Sequence, residues 1–292
     1  MSDSAEHASI LSENDPLPFS FYNESGTLPC LLICEHASNY IPPSLEGLGL
    51  SPDQCRKHYA WDIGTRDVTT FLADKLDAPA IFANYSRLVV DLNRSLDHPT
   101  AFLSHGEGEL IPGNAALTEH EKKARSDAIY HPFHAAVSDF LERYIKQGIY
   151  PAVISIHSFA PVYYKAKRPW EIGFLWSHDA RLPMPMIDYF RQDGFCVGDN
   201  EPYDAKAMGG TTINRHADAR RLANLLVEIR NDLIRDKESC LFWADKLADA
   251  LAPVFSRGDV WRPYEGAVHR HCKEQERLYF ETLISKAKRG EC

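Results

Sequence analysis

The 292-residue sequence lacks an apolar run long enough to cross a membrane, and its seven cysteines lack CxxC spacing. A membrane-spanning helix needs roughly 18 or more consecutive apolar residues. Disulfide frameworks and cysteine zinc sites usually show an even number or a close pairing of cysteines. The opening segment MSDSAEHASILSENDPLPF also lacks the apolar centre of a secretory signal peptide. These absences favour a cytoplasmic protein in a reducing compartment, without contact with a membrane.

Positive charge is also scarce. Lys and Arg number 32 against 41 Asp and Glu, a formal net charge of -9, and the two KAKR segments are short. Binding to nucleic acid needs concentrated Lys and Arg to neutralise phosphates, so a nucleic-acid partner is not expected. The hydrophobic content of 44% is that of an ordinary globular protein.

No repeat, low-complexity tract or convincing linker divides the chain. Residues 1–25 show little periodicity, and we expect them to form a flexible N-terminal tail. Residues 26–292 are then expected to form a single α/β domain, a length that buries a sizeable core. The pattern does not indicate an oligomeric state.

Apolar segments of strand length alternate with amphipathic helical patterns along the chain. The segments are rich in Val, Ile, Leu and Phe without strict alternation, which is typical of strands covered on both faces. We therefore predict an α/β fold with a mixed, mostly parallel sheet and helices on both faces. The predicted strands lie at 28–34, 80–85, 87–92, 151–156, 172–176 and 222–229.

Several helices show recognisable start signals. The segment DIGTRDVTTFLADKL places an apolar stripe on one helical face, with Asp62 as its predicted N-cap. Thr118 and Glu121 have the spacing of a capping box, and Pro132 is expected to kink the helix that they start. Two further helices are predicted near 238–252 and 268–287.

Two histidines stand at the ends of predicted strands, His36 in LLICEHASNY and His157 in AVISIHSF. The carboxyl ends of parallel strands meet at one edge of a sheet, where ligands collect. A catalytic zinc site typically takes three protein ligands from His, Asp and Glu. We therefore predict one divalent metal per chain, most simply zinc, bound by both histidines. Asp62 is favoured as the third ligand, and Glu35 is the alternative.

The segment SRLVVDLNRSLDHP ends a predicted strand in Asn93 and Arg94. The planar, permanently charged guanidinium of arginine suits a substrate carboxylate. The alternative is a structural ion pair of Arg94 with Asp91 or Asp97.

Glu228 lies within the apolar segment LANLLVEIRNDLI. A buried carboxylate is costly unless it is paired or used, and beside a metal it would serve as a general base. The alternative is a buried ion pair with Arg230 or Arg87. The Gly-bearing loop at 199–216 could close over a substrate and bring Arg215 and His216 to it.

The order of His36, DLNR at 91–94, IHS at 156–158 and VEIR at 227–230 resembles the N-formylglutamate amidohydrolase family over roughly residues 28–235. More distantly it looks like the zinc carboxypeptidases. The resemblance implies a zinc-carboxypeptidase-like (phosphorylase/hydrolase-like) fold. It also implies that His36 and His157 bind zinc. Asn93 and Arg94 would hold the substrate carboxylate, and Glu228 would act as the base.

One position departs from the carboxypeptidases. They carry a metal-binding glutamate three residues after the first histidine, and here that position is Asn39. The third ligand is therefore not implied by the resemblance, and Asp62 remains the substitute.

The expected function is zinc-dependent hydrolysis of a small N-acyl acidic amino acid, such as N-formylglutamate, in amino-acid catabolism. Glu228 would act as the base, and Arg87 or the metal would stabilise the oxyanion. The alternatives are a metal-dependent deacylase or carboxypeptidase acting on another N-acyl compound, and a metal-free anion-binding protein.

Overall fold

The computed structural model describes residues 9–291, and a seven-stranded sheet lies at its centre in the order β1-β3-β2-β6-β11-β9-β10. Two small hairpins, β4-β5 and β7-β8, lie outside this sheet. The strands are β1 Phe19–Tyr22, β2 Cys30–Cys34, β3 Ala80–Ala83, β4 His105–Gly106, β5 Glu109–Leu110, β6 Ala152–Phe159, β7 Val162–Tyr163, β8 Ala166–Lys167, β9 Ile172–Leu175, β10 Val197–Asp199 and β11 Asn224–Arg230.

The central strands of the sheet run parallel. The neighbours β3, β2, β6 and β11 pair in parallel, while β1 pairs antiparallel to β3 and β9 pairs antiparallel to β11. Every residue of β2, β3 and β6 is buried. Continuous burial explains why these strands read as unbroken apolar runs, because helices cover both faces of a parallel sheet.

Residues 9–291 form seven α-helices, and five of them cover the two faces of the sheet. One face packs against apolar side chains of α1, α4 and α6, and the other against side chains of α3 and α5. The predicted fold class, a mixed and mostly parallel sheet with helices on both faces, is therefore confirmed. The helices are α1 Thr65–Leu76, α2 Glu119–Arg125, α3 His131–Ile145, α4 Pro183–Gln192, α5 Thr212–His216, α6 Lys237–Phe255 and α7 Lys273–Arg289.

The capping box predicted at Thr118 is present: its hydroxyl accepts from the Glu121 backbone amide, and the Glu121 carboxylate accepts from the Thr118 amide. A π-helical turn, Ser126–Tyr130, separates α2 from α3, and Pro132 occupies the first turn of α3. The helical backbone continues through this turn, and the His131 amide donates to Ser126 O, five residues earlier. Pro132 has no N–H to donate to the preceding turn, and the wider π-helical turn lies directly before it. No helix within residues 9–291 is both long enough and apolar enough to cross a bilayer.

The strand predicted at 87–92 is wrong. This segment is largely buried but forms turns, and its backbone groups are satisfied locally and by side chains. The amide of Val89 donates to Ser86 O, and Asn114 Nδ2 donates to Leu88 O. Such satisfaction lets an apolar segment lie in the core without joining a sheet. Periodicity alone does not distinguish it from a buried strand.

Two boundaries predicted from the sequence also need correction. Residues 19–22 of the expected tail form the edge strand β1, whose partly buried Phe19 and Phe21 pack on the core. Residues 1–8 of that tail lie outside the described residues. Asp62 does not cap α1, because the helix begins at Thr65 and its N-cap is Gly64 in a left-handed conformation. The Asp62 side chain is instead directed toward His36 and His157.

Candidate metal and substrate site

His36, Asp62 and His157 converge at the carboxyl edge of the sheet, and one ligand atom from each lies within 4.8 Å of the others. His36 follows β2, whereas His157 lies inside β6 rather than just beyond it, and Asp62 precedes α1. Asp62 Oδ2 is 3.3 Å from His36 Nδ1 and 2.8 Å from His157 Nδ1. All three side chains are buried.

The second nitrogen of each histidine is held by a different carboxylate. His36 Nε2 donates to Asp91 Oδ1 at 2.8 Å, and His157 Nε2 lies 3.2 Å from Glu35 Oε2. Glu35 is fixed in turn by the Ser155 hydroxyl, which donates to it at 2.7 Å. A carboxylate behind a histidine fixes the ring and its tautomer, as it commonly does for metal-binding histidines. Both Nδ1 atoms therefore face Asp62.

The residues fit a zinc ion in donor type and in spacing. Ligands of a tetrahedral zinc, bound at about 2.0–2.1 Å, lie roughly 3.3 Å from one another. The two distances from Asp62 Oδ2 are close to that value. Asp62 Oδ1 is buried and accepts no hydrogen bond among the described residues. Two nitrogens and one carboxylate form the donor set of many catalytic zinc sites. Glu35, the alternative third ligand, lies behind His157.

The carboxylates around the histidines are held ionised. Burial opposes ionisation, but His36 and His157 hold the pKa of Asp62 well below its usual range. Arg87 and His36 do the same for the pKa of Asp91. The Glu35 and Asp62 carboxylates outweigh burial and hold the pKa of His157 well above its usual range. Without a metal, His157 is therefore protonated, and a dication would replace its Nδ1 proton.

Glu228 on β11 is the register partner of His157 on β6. It is 6% exposed, and its Oε2 atom has no hydrogen-bond partner in the described part of the chain. Burial, with a contribution from Asp62, raises the pKa of Glu228 to about 7. The ion pairs considered from the sequence are absent, since Arg230 pairs with Asp232 and Arg87 with Asp91. The carboxylate is therefore available to exchange a proton.

A cavity of about 640 Å³ adjoins the smaller pocket that contains the candidate metal ligands, and Arg87 and Arg94 line both the cavity and the pocket. Arg87 Nε and Nη2 donate to Asp91 Oδ2 at 3.1 and 2.6 Å, which fixes the guanidinium. Arg94 has no carboxylate at ion-pair distance among residues 9–291, because Asp97 pairs with Lys273. The structural ion pair considered for Arg94 is therefore absent.

The amide of Asn93 is held in place. Its Oδ1 accepts from the Thr212 backbone amide at 2.9 Å, and its Nδ2 lies 3.4 Å from His157 Nε2. Arg94 Nη1 donates to the backbone oxygen of Asn93 at 2.8 Å, and its buried Nε has no partner among the described groups. Asn93 and Arg94 thus present N–H donors beside the candidate metal ligands.

The structure does not bring Arg215 and His216 to this site. His216 Nε2 lies 2.9 Å from His134 Nδ1, and Arg215 donates to the Tyr130 hydroxyl at 2.7 Å. Both residues belong to α5 and line a separate pocket against α3. The structure therefore does not place these two residues in contact with a substrate bound at this site, in contrast to the prediction from the sequence. Helix α5 directs the side chains of Arg215 and His216 away from the cavity. At the start of the same helix, the Thr212 amide donates to Asn93.

His58 is a site residue that the sequence interpretation missed. Its Nδ1 lies 3.7 Å from Asp62 Oδ1, and the side chain lines the cavity. Burial lowers the pKa of His58 to about 4, so the ring is neutral at pH 7. In the sequence, the signal for His58 was its position four residues before Asp62. Asp91 was considered only as a partner of Arg94, whereas it holds His36 and Arg87.

Comparisons with known proteins identify the family and the fold of the chain. A family model described as N-formylglutamate amidohydrolase matches residues 28–235. The chain is similar to the crystal structure of gene product Atu2144 from Agrobacterium tumefaciens, with 36% identity and a TM-score of 0.82 over 85% of this chain and 98% of that chain. It also shares its fold with N-formylglutamate amidohydrolase from Ralstonia eutropha JMP134, at 19% identity and a TM-score of 0.67, covering 82% of this chain and 98% of that chain. No curated protein matches the chain.

Proposed function

The chain belongs to the N-formylglutamate amidohydrolase family, and from this premise we propose that it hydrolyses a small N-acyl acidic amino acid, such as N-formylglutamate, with one zinc ion. The observation that carries the proposal is the buried His36–Asp62–His157 group beside Glu228, a carboxylate without an ionic partner among the described residues. A metal ion next to a general base without an ionic partner is one of the arrangements that hydrolyse amides, because the metal activates a water and the base takes its proton.

His36, Asp62 and His157 would hold the metal, with Asp91 and Glu35 orienting the two imidazoles. When bound, zinc would polarise the acyl carbonyl and lower the pKa of an attacking water. The remaining steps belong to side chains of this chain. Glu228 accepts a proton from the water while the water oxygen forms a bond to the acyl carbon. A pKa raised by burial suits this exchange near neutral pH.

The substrate is oriented by the arginine and amide donors of the cavity. Arg94 and Asn93 bind the carboxylate on the α-carbon, which places the acyl group toward the metal-binding residues. Arg87, locked by Asp91, donates to the oxygen that becomes negatively charged during attack. Fixing Arg87 beforehand removes the cost of reorienting it during the reaction.

The reaction is completed when the C–N bond breaks. Glu228 returns its proton to the departing nitrogen, so the products are a free amino acid and a carboxylic acid, formate for a formyl substrate. One water molecule is consumed for each C–N bond that is broken. The residue starts and ends each cycle ionised.

The proposal is tested by metal analysis and hydrolysis on the same preparation. We expect about one zinc per chain and release of formate from N-formylglutamate, with loss of both after chelation and recovery on adding zinc. Activity confined to other N-acyl compounds would indicate a deacylase or carboxypeptidase of different specificity. A protein that binds anions but holds no metal and hydrolyses none of these compounds would refute the proposal.

A further inference from the structure

Arg168 is a buried cation in the wall of the cavity, and its charge is not neutralised locally. The residue is 6% exposed, and no carboxylate lies at ion-pair distance from it among residues 9–291. Its one side-chain hydrogen bond goes from Nη2 to the Tyr203 hydroxyl at 3.1 Å. A guanidinium has five N–H donors, so most of its hydrogen-bonding capacity remains unused.

Aromatic rings hold this guanidinium in one place. Its central carbon lies 4.6 Å from the ring centre of Tyr163, 4.9 Å from that of Tyr203 and 5.8 Å from that of Phe159. Cation–π contacts offset part of the lost hydration and also fix the plane of the group. Arg168, Tyr163 and Tyr203 all line the 640 Å³ cavity. The cation is thus oriented in advance at a surface that a ligand can reach.

Arg125 shows what a purely structural buried arginine looks like in this chain. It is 4% exposed and has no carboxylate partner either, in the part of the chain that the structure describes. Its guanidinium, however, donates to Asn114 Oδ1, to Gly113 O and to Val89 O. Three protein acceptors account for Arg125, whereas Arg168 has one. Burying a cation without partners is costly, so a missing anion is the simplest explanation of Arg168.

We propose that Arg168 binds a second carboxylate of the substrate and so selects N-acyl amino acids with an anionic side chain. Arg94 binds one carboxylate and Arg168 the other, and both arginines lie in the same cavity without an acidic partner among the described residues. The ligand class is an N-acyl amino dicarboxylate of the aspartate or glutamate type. This inference rests on the proposed amidohydrolase function for the position of the acyl group.

A rival role for Arg168 is to act through Glu228. The two charges influence one another, since the cation counteracts the burial that raises the pKa of Glu228. A residue acting only in this way would affect all substrates equally. A residue that binds the side-chain carboxylate would affect dicarboxylates alone. Comparing an acidic and a neutral substrate therefore separates the two roles.

The first measurement is of binding and does not depend on turnover. Glutarate and butyrate are titrated calorimetrically into the metal-loaded wild type, Arg168→Gln and, as a matched control, Arg235→Gln. Arg235 is exposed and does not line the cavity. We expect glutarate to bind at least about tenfold more tightly than butyrate in the wild type and control, and the preference to disappear in Arg168→Gln.

The second measurement is kcat/KM for N-formylglutamate and for N-formylglutamine. Arg168→Gln is expected to lose on the order of 10²-fold with the acidic substrate and less than about threefold with the neutral one. Equal losses with both would overturn the proposal and assign Arg168 to Glu228. If Arg168→Gln fails to fold, Arg168→Met keeps an unbranched side chain but removes the charge and all the N–H donors. An undiminished glutarate preference in that variant would also overturn the proposal.

The two measurements separate this proposal from the proposed function. A wild type that prefers glutarate through Arg168 but hydrolyses neither formyl compound would refute the amidohydrolase and retain the carboxylate site. A wild type that hydrolyses both compounds equally well, with no preference for glutarate, would retain the amidohydrolase and refute the carboxylate site.

Discussion

Glu228 lies directly beside His157 in the register of the parallel strands β6 and β11. Register partners on neighbouring parallel strands project to the same face, and the strands are roughly 4.8 Å apart. A carboxylate without an ionic partner in the described structure is thereby placed next to the imidazole of a candidate metal ligand. The pairing of two buried strands thus brings both the proposed base and one proposed metal ligand to the same edge of the sheet.

Replacing the proposed base is the most direct test of the chemistry. Glu228→Gln preserves shape and removes proton transfer, so kcat should fall on the order of 10²–10⁴-fold. Metal content should not change. The free energy of unfolding should be maintained or increased, because a buried carboxylate without an ionic partner is removed. The acidic limb of the pH–rate profile, which reports protonation of the base, should also disappear.

The matched control is Glu238→Gln, since Glu238 is an exposed glutamate in the first turn of α6. It should retain wild-type kcat. Melting temperature, zinc content and kcat are measured on each preparation. A Glu228→Gln variant that is stable, loaded with zinc and fully active would end the proposed mechanism.

The two histidines are expected to be required for metal binding. His36→Ala and His157→Ala should each lower zinc occupancy from about one per chain to nearly none, with activity lost in parallel, because two remaining ligands rarely retain the metal. His131→Ala serves as control, since His131 is exposed in the separate pocket beside α3. Zinc is measured by mass spectrometry after dialysis. Full occupancy in both site variants would show that the metal binds elsewhere.

Asp62 and Glu35 should differ in how strongly they affect zinc affinity. Asp62→Asn replaces a proposed ligand and should largely abolish binding, because a neutral amide is a poor partner for a dication. Glu35→Gln alters only the group behind His157 and should weaken binding by about 10–100-fold. Competition titration with a chelating dye measures both. The reverse order of effects would make Glu35 the third ligand.

Buried histidines outside the metal site should make folding stability depend on pH. Burial, then the Arg220 and Arg215 cations, lower the pKa of His216 to about 3, and burial also holds that of His134 well below its usual range. The unfolded chain, with histidine pKa values near 6.5, binds more protons at acidic pH. Above about pH 6.5 both histidines are neutral in the folded and in the unfolded chain, so they do not make stability depend on pH. As the pH falls below that value, the unfolded chain takes up protons first, and the free energy of unfolding decreases.

The pH effect is isolated by comparing the wild type with His216→Gln, whose amide nitrogen can replace Nε2 in the contact with His134. Between about pH 6 and 4, the difference in free energy of unfolding should shift in favour of the variant by about 1.4 kcal/mol per pH unit for one proton. Urea unfolding at several pH values measures it. A constant difference across this range would mean that His216 titrates normally in the folded state.

Local patterns in the sequence accounted for much of the fold. Unbroken apolar runs marked the central strands, since a strand covered on both faces must be apolar throughout. The capping box at Thr118 was readable because its two hydrogen bonds join residues three positions apart. The histidines at 36 and 157 were recognisable because each interrupts or ends such a run. The family resemblance then supplied the expected chemistry, and residues 28–235 match that family.

Contacts between segments that are far apart in the sequence could be identified only from the tertiary structure. The sequence left Asp62 and Glu35 as alternatives, and the path of the loop before α1 directs Asp62 toward both Nδ1 atoms while Glu35 lies behind His157. The segment at 87–92 was apolar enough for a strand, yet Asn114 and Arg125 satisfy its carbonyls from outside.

Arg168 gave no signal in the sequence, because nothing local indicates which charges are buried and left without a partner. The physical reason is general. Periodicity and capping depend on neighbours along the helix or strand, whereas burial, ion pairing and ligand geometry depend on the register and packing of elements far apart in the chain.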